Sequence, residues 1–181
     1  MLKAFLRAQL GKFEKAYGYD MSYGREILDA DLSGFLKFFR AMAFTQHRRD
    51  VPPAVYHAAK LVSVMSEDCG PCTQLLVQMA EQDGVPAEVL RAVLARKPSL
   101  LPADAQLGYR FAEAALAHAP EADALREQIE ARWGKRALVS LAYALAGARI
   151  YPTLKYALGH GKTCMRVTVS GQVQNVARAA A

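Results

Sequence analysis

The sequence predicts an all-α protein, and three observations support that fold class. Of the 181 residues, 33 are alanine and only 7 are phenylalanine, although hydrophobic residues make up 52%. Because alanine is the best helix former and a poor strand former, this composition favours packed helices over a β-sandwich. Charged residues make up 22%, near the globular average, which argues against bulk disorder. Apolar residues also recur at three- and four-residue steps along most of the chain.

Hydrophobic spacing, prolines and glycines predict the individual helices. The first covers residues 2–17, and the second runs from about Gly24 to Ala43. Proline is tolerated in the first turn of a helix, and glycine often follows the last turn. The prolines and glycines of the chain therefore indicate where the other helices begin and end. The remaining predicted helices cover 54–65, the segment from the cysteine motif to about Asp83, 86–96, the stretch between Pro102 and Pro120, 121–133 and 136–149.

The chain changes character after Pro152. Residues 165–170 alternate between apolar and polar side chains, which is typical of a β-strand. A single strand needs a partner, which another subunit could supply. We therefore expect a short extended tail over residues 161–181.

The motif with the clearest chemistry is Cys69-Gly-Pro-Cys72, which holds two of the three cysteines. Three cysteines are too few for a disulfide scaffold, and a CxxC pair usually indicates redox or metal chemistry. Asp68 is a suitable N-cap, so both thiols are expected at a helix N-terminus, where the helix dipole favours the thiolate. Cys72 shares a helical stripe with Leu76 and is expected to point inward, whereas Cys69 should be the more accessible thiol.

Acidic residues next to the motif allow two interpretations. The charges of Glu67 and Asp68 would raise the pKa of a nearby thiol. Alternatively, a carboxylate such as that of Glu67 would act as a proton acceptor if it lay within hydrogen-bond reach.

Two other protein classes share parts of this pattern. The sequence CGPC also occurs in the active site of thioredoxin, but Asp68 stands where thioredoxin has tryptophan, and few strands are predicted here. A zinc module is the other alternative, since His160 and Cys164 could join Cys69 and Cys72 as four ligands. The long separation between the two halves argues against such a site.

The chain resembles the carboxymuconolactone decarboxylase/AhpD-like superfamily over roughly residues 35–160. The resemblance rests on a CxxC at a helix start, on the following AEQDGVP and AEVL segments, and on a closing helix at 136–149. It implies an all-α, usually oligomeric protein, with residues 1–34 as a helical extension packed on the same domain. The intact cysteines point to the AhpD branch, whose members reduce peroxides or a partner redox protein.

The resemblance also implies where a proton relay would lie. The family has a glutamate twelve residues before the first cysteine, where this chain has His57, and a histidine four residues after the second, where it has Leu76. Since histidine titrates near neutral pH, His57 could act as the base, or it could be a helix-surface residue. By resemblance, Cys72 would be the attacking thiol.

The net charge of +6 does not indicate a nucleic-acid partner, because the excess lies at the two ends of the chain and forms no basic stripe. No apolar run approaches the roughly 18 residues of a membrane span, so we expect no membrane partner and a cytoplasmic location. No cofactor or metal is predicted.

We therefore predict a CxxC-dependent thiol–disulfide oxidoreductase that forms homo-oligomers. Its candidate site residues are Cys69, Cys72, Glu67 and His57. A peroxide or a disulfide is the candidate substrate, and a partner redox protein is a candidate reaction partner. The alternatives are a non-catalytic helical oligomer of the same fold and the zinc module.

Overall fold

Helices make up 73% of the computed structural model, which describes residues 1–163 and 166–177. The all-α prediction is confirmed. The helices in these residues are α1 (Leu2–Tyr17), α2 (Ser22–Ala30), α3 (Leu32–Met42), α4 (Pro53–Met65), α5 (Gly70–Gln82), α6 (Ala87–Leu94), α7 (Ala103–Leu116) and α8 (Glu121–Ala157), with 3-10 turns at Ala43–Gln46 and Pro98–Leu100.

Helix α4 is the central element of the main core. Residues 55–65 are all buried, as expected for a helix that is apolar on nearly every side. It packs against α5, α7 and α8. Any polar side chain on α4 is therefore held inside the protein, and this determines the environment of His57 and Lys60.

The prediction of one helix from Gly24 to Ala43 is wrong. Asp31 has an extended backbone (φ −149°, ψ 101°) and separates α2 from α3, and its carboxylate accepts a hydrogen bond from the Ser33 amide at 2.9 Å. The N-terminal helices build a second apolar cluster, which packs against α5 and the end of α8. Its buried members are Leu10, Tyr19, Met21, Tyr23, Leu28 and Phe35.

The sequence predicts two helices over 121–133 and 136–149, and the structure has one helical run with a break between them. Gly134 adopts φ 81° and ψ 172°, a conformation that is essentially restricted to glycine. The run then continues past the predicted end and through Pro152, which is buried, to Ala157. This extension carries Lys155 into the interior.

Helix α8 also bears on the expectation that no segment is apolar enough to span a membrane. It contains an 18-residue window with a hydropathy of 1.2, which meets that criterion by length and composition. Of this window, 44% is buried against the rest of the chain. Core helices pass the same test, so the window by itself does not indicate a membrane span.

The C-terminal segment forms a β-hairpin of β1 (Arg166–Val169) and β2 (Gln172–Asn175). The strands are antiparallel, with Val167 opposite Gln174. The strand thus pairs within its own chain, and the expectation that another subunit would supply the partner is wrong. The hairpin packs on α5, the helix that carries the cysteine motif.

Candidate redox site

Cys69 and Cys72 form a disulfide at the start of α5, with their Cα atoms 5.3 Å apart. Cys69 itself is the N-cap residue, and its carbonyl accepts hydrogen bonds from the amide and the hydroxyl of Thr73 at 2.9 and 3.0 Å. The prediction of Asp68 as N-cap is therefore wrong. Asp68 instead forms the turn before the helix with a left-handed backbone (φ 49°), and its carbonyl accepts a hydrogen bond from Tyr156.

Both sulfur-bearing residues are buried. Cys72 is 4% exposed, which confirms that it points inward. Cys69 is only 1% exposed, so the expectation that it would be the accessible thiol is wrong. Cys69 lies at the tip of α5, but the preceding turn and the end of α8 cover that tip, since Tyr156 on α8 bonds to the turn. A reactant must enter through an internal cavity or through local opening.

A tyrosine and a lysine connect Cys72 to the interior. The Tyr19 hydroxyl lies 3.8 Å from Cys72 Sγ, and Lys155 Nζ donates a hydrogen bond to the same hydroxyl at 3.4 Å. Lys155 is 2% exposed, and its ammonium lies over the rings of Tyr19 and Tyr23, 4.6 and 5.5 Å from their centroids. The three groups form a continuous chain from ammonium to phenol to sulfur.

The electrostatics of this chain keep a protonated hydroxyl next to the sulfur and a cation behind it. Burial raises the pKa of Tyr19 to about 12, so its hydroxyl stays protonated at neutral pH. Burial also lowers the pKa of Lys155, which makes its ammonium a better proton donor than an exposed lysine. A nearby positive charge favours the thiolate form of cysteine.

A second buried lysine approaches Cys72 from the side of α4. Lys60 and Cys72 line the same small cavity, of about 40 Å³. Lys60 Nζ donates a hydrogen bond to the Thr45 carbonyl at 2.9 Å, and burial lowers its pKa to about 8. Two buried lysines thus belong to the surroundings of Cys72: Lys155 through the Tyr19 hydroxyl, and Lys60 on the wall of the shared cavity.

His57 is buried (3% exposed), so its interpretation as a surface residue is wrong. Its Nε2 lies 2.7 Å from Asp83 Oδ2, and this hydrogen bond lowers the pKa of Asp83. Burial lowers the pKa of His57. Its Nδ1 is buried and has no hydrogen-bond partner within the described residues. Its hydrogen bond thus goes to Asp83 and not to a sulfur.

Glu67, the other proposed proton acceptor, is engaged elsewhere. Its carboxylate forms an ion pair with Arg149 Nε at 2.5 Å. The structure thus brings Cys69 and Cys72 together and gives His57 and Glu67 other partners. Leu76, at the position of the family's histidine, is buried in the main core.

The ligand set of the zinc alternative is not assembled in the described part of the chain. His160 Nε2 lies 2.6 Å from Glu26 Oε2, and Cys69 and Cys72 are bonded to each other. Cys164 lies outside the described residues. Within residues 1–163 and 166–177, no group of three or more His, Cys, Asp or Glu side chains could hold a metal ion.

An apolar cleft of about 440 Å³ leads toward the site from the side of α1. It shares Tyr19, Gln46 and Leu75 with the small cavity at Cys72. Phe13 and Tyr17 of α1 line its outer part. The N-terminal helices thus form one wall of the approach to the sulfur.

Sequence reasoning missed Tyr19, Lys60 and Lys155. Lys60 carries a usable signal, because a lysine in the middle of a helix that is apolar on nearly all sides must be buried. Tyr19 and Lys155 have no such signal, since they are 53 and 83 residues from Cys72 and only tertiary packing brings them to it.

Comparisons of the chain with protein-family models, with curated proteins and with solved structures find no match.

Proposed function

We propose that the protein is a thiol–disulfide oxidoreductase that cycles between a Cys69–Cys72 dithiol and the disulfide, and that it also reduces peroxides. The observation that carries this proposal is the buried disulfide whose Cys72 sulfur contacts the Tyr19 hydroxyl, itself bonded to Lys155. A hydroxyl next to one sulfur can donate a hydrogen bond to the thiolate that reduction releases, which favours a redox role over a purely structural one.

With a peroxide, the reaction proceeds in two steps. The Cys72 thiolate attacks one peroxide oxygen, the O–O bond breaks, and the leaving alkoxide takes a proton from the Tyr19 hydroxyl, which Lys155 reprotonates. The Cys69 thiolate then attacks the sulfenic Cys72 sulfur and displaces hydroxide, which leaves as water after taking up a proton. Two electrons from the thiol pair thus convert one peroxide into an alcohol and water.

With a disulfide substrate, the same thiols act by exchange. The Cys72 thiolate displaces one substrate thiolate and forms a mixed disulfide, and the Cys69 thiolate then displaces the second. A dithiol reductant or a partner redox protein returns the protein to the reduced state by the reverse exchange. We place this cycle in the cytoplasm, where thiols are kept reduced.

We also propose that the chain is a divergent AhpD-like protein and forms homo-oligomers. His57 is hydrogen-bonded to Asp83, and Leu76 has no titratable group. In our proposal, Tyr19 of the N-terminal extension and Lys155 of α8 take over the function of the proton relay. Analytical ultracentrifugation at several concentrations measures the oligomeric state.

The test measures peroxide and disulfide consumption in the presence of a dithiol reductant. The variants are Cys69→Ser, Cys72→Ser and Tyr19→Phe, with Tyr17→Phe as the matched control, because the Tyr17 hydroxyl bonds Gln82 and not a sulfur. Cys72→Ser should abolish turnover, and Cys69→Ser should stop the cycle after the first step. Tyr19→Phe removes a hydrogen bond of about 1 kcal/mol and should slow the reaction roughly five-fold.

Two outcomes would contradict the proposal. Unchanged turnover in both serine variants would show that the thiols do not carry the activity. A Tyr17→Phe variant as slow as Tyr19→Phe would show that the loss comes from the apolar cleft and not from the contact with Cys72.

A further inference from the structure

A second cleft, of about 460 Å³, adjoins the apolar cleft and shares Phe13, Tyr17 and Gln46 with it. Its titratable side chains come from α1, from α4, from the end of α5 and from the segment before α4. These are Tyr17, Arg48, Tyr56, His57, Lys60 and Asp83. We call this feature the polar cleft.

The charges of the polar cleft do not balance. Asp83 is its one lining carboxylate, and Oδ2 of that group lies 2.7 Å from His57 Nε2 and 3.6 Å from Arg48. Burial keeps His57 in its neutral form by lowering its pKa. The single negative charge of Asp83 thus faces two cations, Arg48 and Lys60, and the cleft carries one positive charge in excess.

Lys60 is the unusual member of this set. It is 5% exposed, and in the described part of the chain no carboxylate lies within 4.0 Å of it. The Thr45 carbonyl, at 2.9 Å, accepts one of its three N–H donors, and the Tyr56 ring lies 5.3 Å away. Asp83 interacts with this ammonium only from beyond ion-pair distance, and a buried ammonium without a counter-ion in contact is costly to stability. An anion bound in the cleft would supply the missing charge and accept the remaining donors.

The polar cleft is connected to the thiol site. Gln46, Lys60 and Met79 line both the polar cleft and the 40 Å³ cavity that contains Cys72. An anionic group held at Lys60 therefore lies at the entrance to the cavity of the attacking sulfur, with Arg48, about one-third exposed, at the cleft's open side.

We propose that the polar cleft binds the carboxylate of a small organic disulfide, with Lys60 and Arg48 as the anion-binding residues, and directs its S–S bond to Cys72. This inference rests on the proposed function. Cys72 displaces one carboxylate-bearing thiolate from the bound substrate, Cys69 displaces the second, and the protein is left with the Cys69–Cys72 disulfide.

The test uses three disulfides of similar size and different charge: 3,3′-dithiodipropionate, a dianion; bis(2-hydroxyethyl) disulfide, which is neutral; and cystamine, a dication. Oxidation of the fully reduced protein is followed by stopped flow near neutral pH. Each rate is divided by the rate of the same disulfide with 2-mercaptoethanol, which removes intrinsic reactivity. We expect the dianion to exceed the neutral compound roughly ten-fold and the dication to be slowest, with the preference decreasing at high salt.

Lys60→Met and Arg48→Met should each reduce the preference for the dianion. In Lys60→Met, the normalised rate for the dianion should fall to within about two-fold of the rate for the neutral compound. Lys97→Met is the matched control, because Lys97 is exposed and lies outside the polar cleft, and it should leave the preference unchanged. Having two variants keeps the test decisive if one fails to fold.

The outcomes separate the two proposals. Equal normalised rates for the three disulfides, or a dianion preference that survives in both cleft variants, would overturn the anion site and leave the redox function standing. If none of the disulfides or peroxides oxidises the reduced protein through Cys72, the proposed function itself fails, and the anion site fails with it.

Discussion

Lys60 and Lys155 are buried beside one sulfur with no carboxylate bonded to either in the described residues. Each ammonium is held by weak partners: a carbonyl for Lys60, and a phenol with two aromatic rings for Lys155. Such an arrangement lowers stability, because the groups lose hydration without gaining a full counter-charge. It would stabilise a thiolate at Cys72 once the disulfide is reduced, which is the state that the proposed reaction needs.

Replacing Lys60 by methionine should therefore stabilise the protein at neutral pH. Burial lowers the pKa of Lys60 from 10.5 to about 8, so below about pH 8 both folded and unfolded chains carry the proton and the burial cost is fully present. Between about pH 8 and 10.5 the unfolded chain holds more protons, so the stability contributed by this residue rises with pH. Lys60→Met should be more stable by roughly 2 kcal/mol at pH 7, and most of the difference should be gone above about pH 10.5.

Urea unfolding of wild type and Lys60→Met across this pH range measures the effect. Lys97→Met, an exposed replacement of the same kind, should follow the wild-type curve. A Lys60→Met variant that is less stable at neutral pH would show that its bond to Thr45 outweighs the burial cost.

Among individual residues, the sequence predicts the cysteine pair but not the side chains that surround it. Cys69 and Cys72 are recognisable because their spacing is local and a helix start brings both thiols to one end. The contact of Tyr19 with Cys72 depends on how the N-terminal helices pack on α5, which no local pattern encodes. The carboxylate of Glu67 is hydrogen-bonded to Arg149, and the imidazole of His57 is hydrogen-bonded to Asp83. Neither of these hydrogen bonds therefore goes to a sulfur in the way that the sequence suggested.

Side chains of α5 bind the C-terminal hairpin by hydrogen bonds to its backbone amides and carbonyls. The Gln74 amide group donates to the Thr168 carbonyl at 3.1 Å and accepts from the Thr168 amide at 2.6 Å, as a neighbouring strand would. About two turns further along α5, Glu81 accepts a hydrogen bond from the Ser170 amide at 2.6 Å. The hairpin thus reinforces the helix that carries the disulfide.

Removing the Gln74 side chain should loosen the hairpin and leave the core intact. Gln74→Ala deletes two hydrogen bonds worth about 1 kcal/mol each, so exchange of the Thr168 amide should speed up at least ten-fold in hydrogen-exchange measurements. Gln128→Ala, in an exposed part of α8, is the control and should leave this amide unchanged. Unaltered protection of Thr168 in Gln74→Ala would show that strand pairing with β2 alone holds the hairpin.

Helix ends that follow from the local pattern of side chains are predicted correctly. A helix break that depends on the backbone angles of one residue is not. Helix α1 has the predicted bounds, because its apolar residues keep a helical period to Tyr17 and Gly18 follows. The break at Asp31 interrupts a sequence that is helical on both sides, so periodicity continues through it. The pairing partner of β1 was missed because residues 172–175 show no clear alternation.

At the scale of the whole molecule, two apolar clusters meet at the thiol site. The main core supplies Cys69 and Cys72, and the N-terminal cluster supplies Tyr19, which touches Cys72 across the boundary. Leu75 of α5 and Leu154 of α8 pack against the N-terminal cluster and join the two. Most members of both clusters lie outside residues 69–72, so we expect the fold to survive opening of the four-residue ring that the disulfide closes.

Reduction should therefore change stability only slightly. Cys69 and Cys72 are three residues apart, and the loop-entropy estimate for so short a ring is about 2 kcal/mol, an upper value because a folded turn already orders the chain. Urea unfolding of the oxidised and the reduced protein should give free energies within this margin and the same far-UV circular dichroism. The Cys69→Ser/Cys72→Ser double variant should match the reduced protein with or without a reductant. Global unfolding on reduction would identify the disulfide as a structural crosslink, whereas a folded reduced state leaves the pair free to cycle.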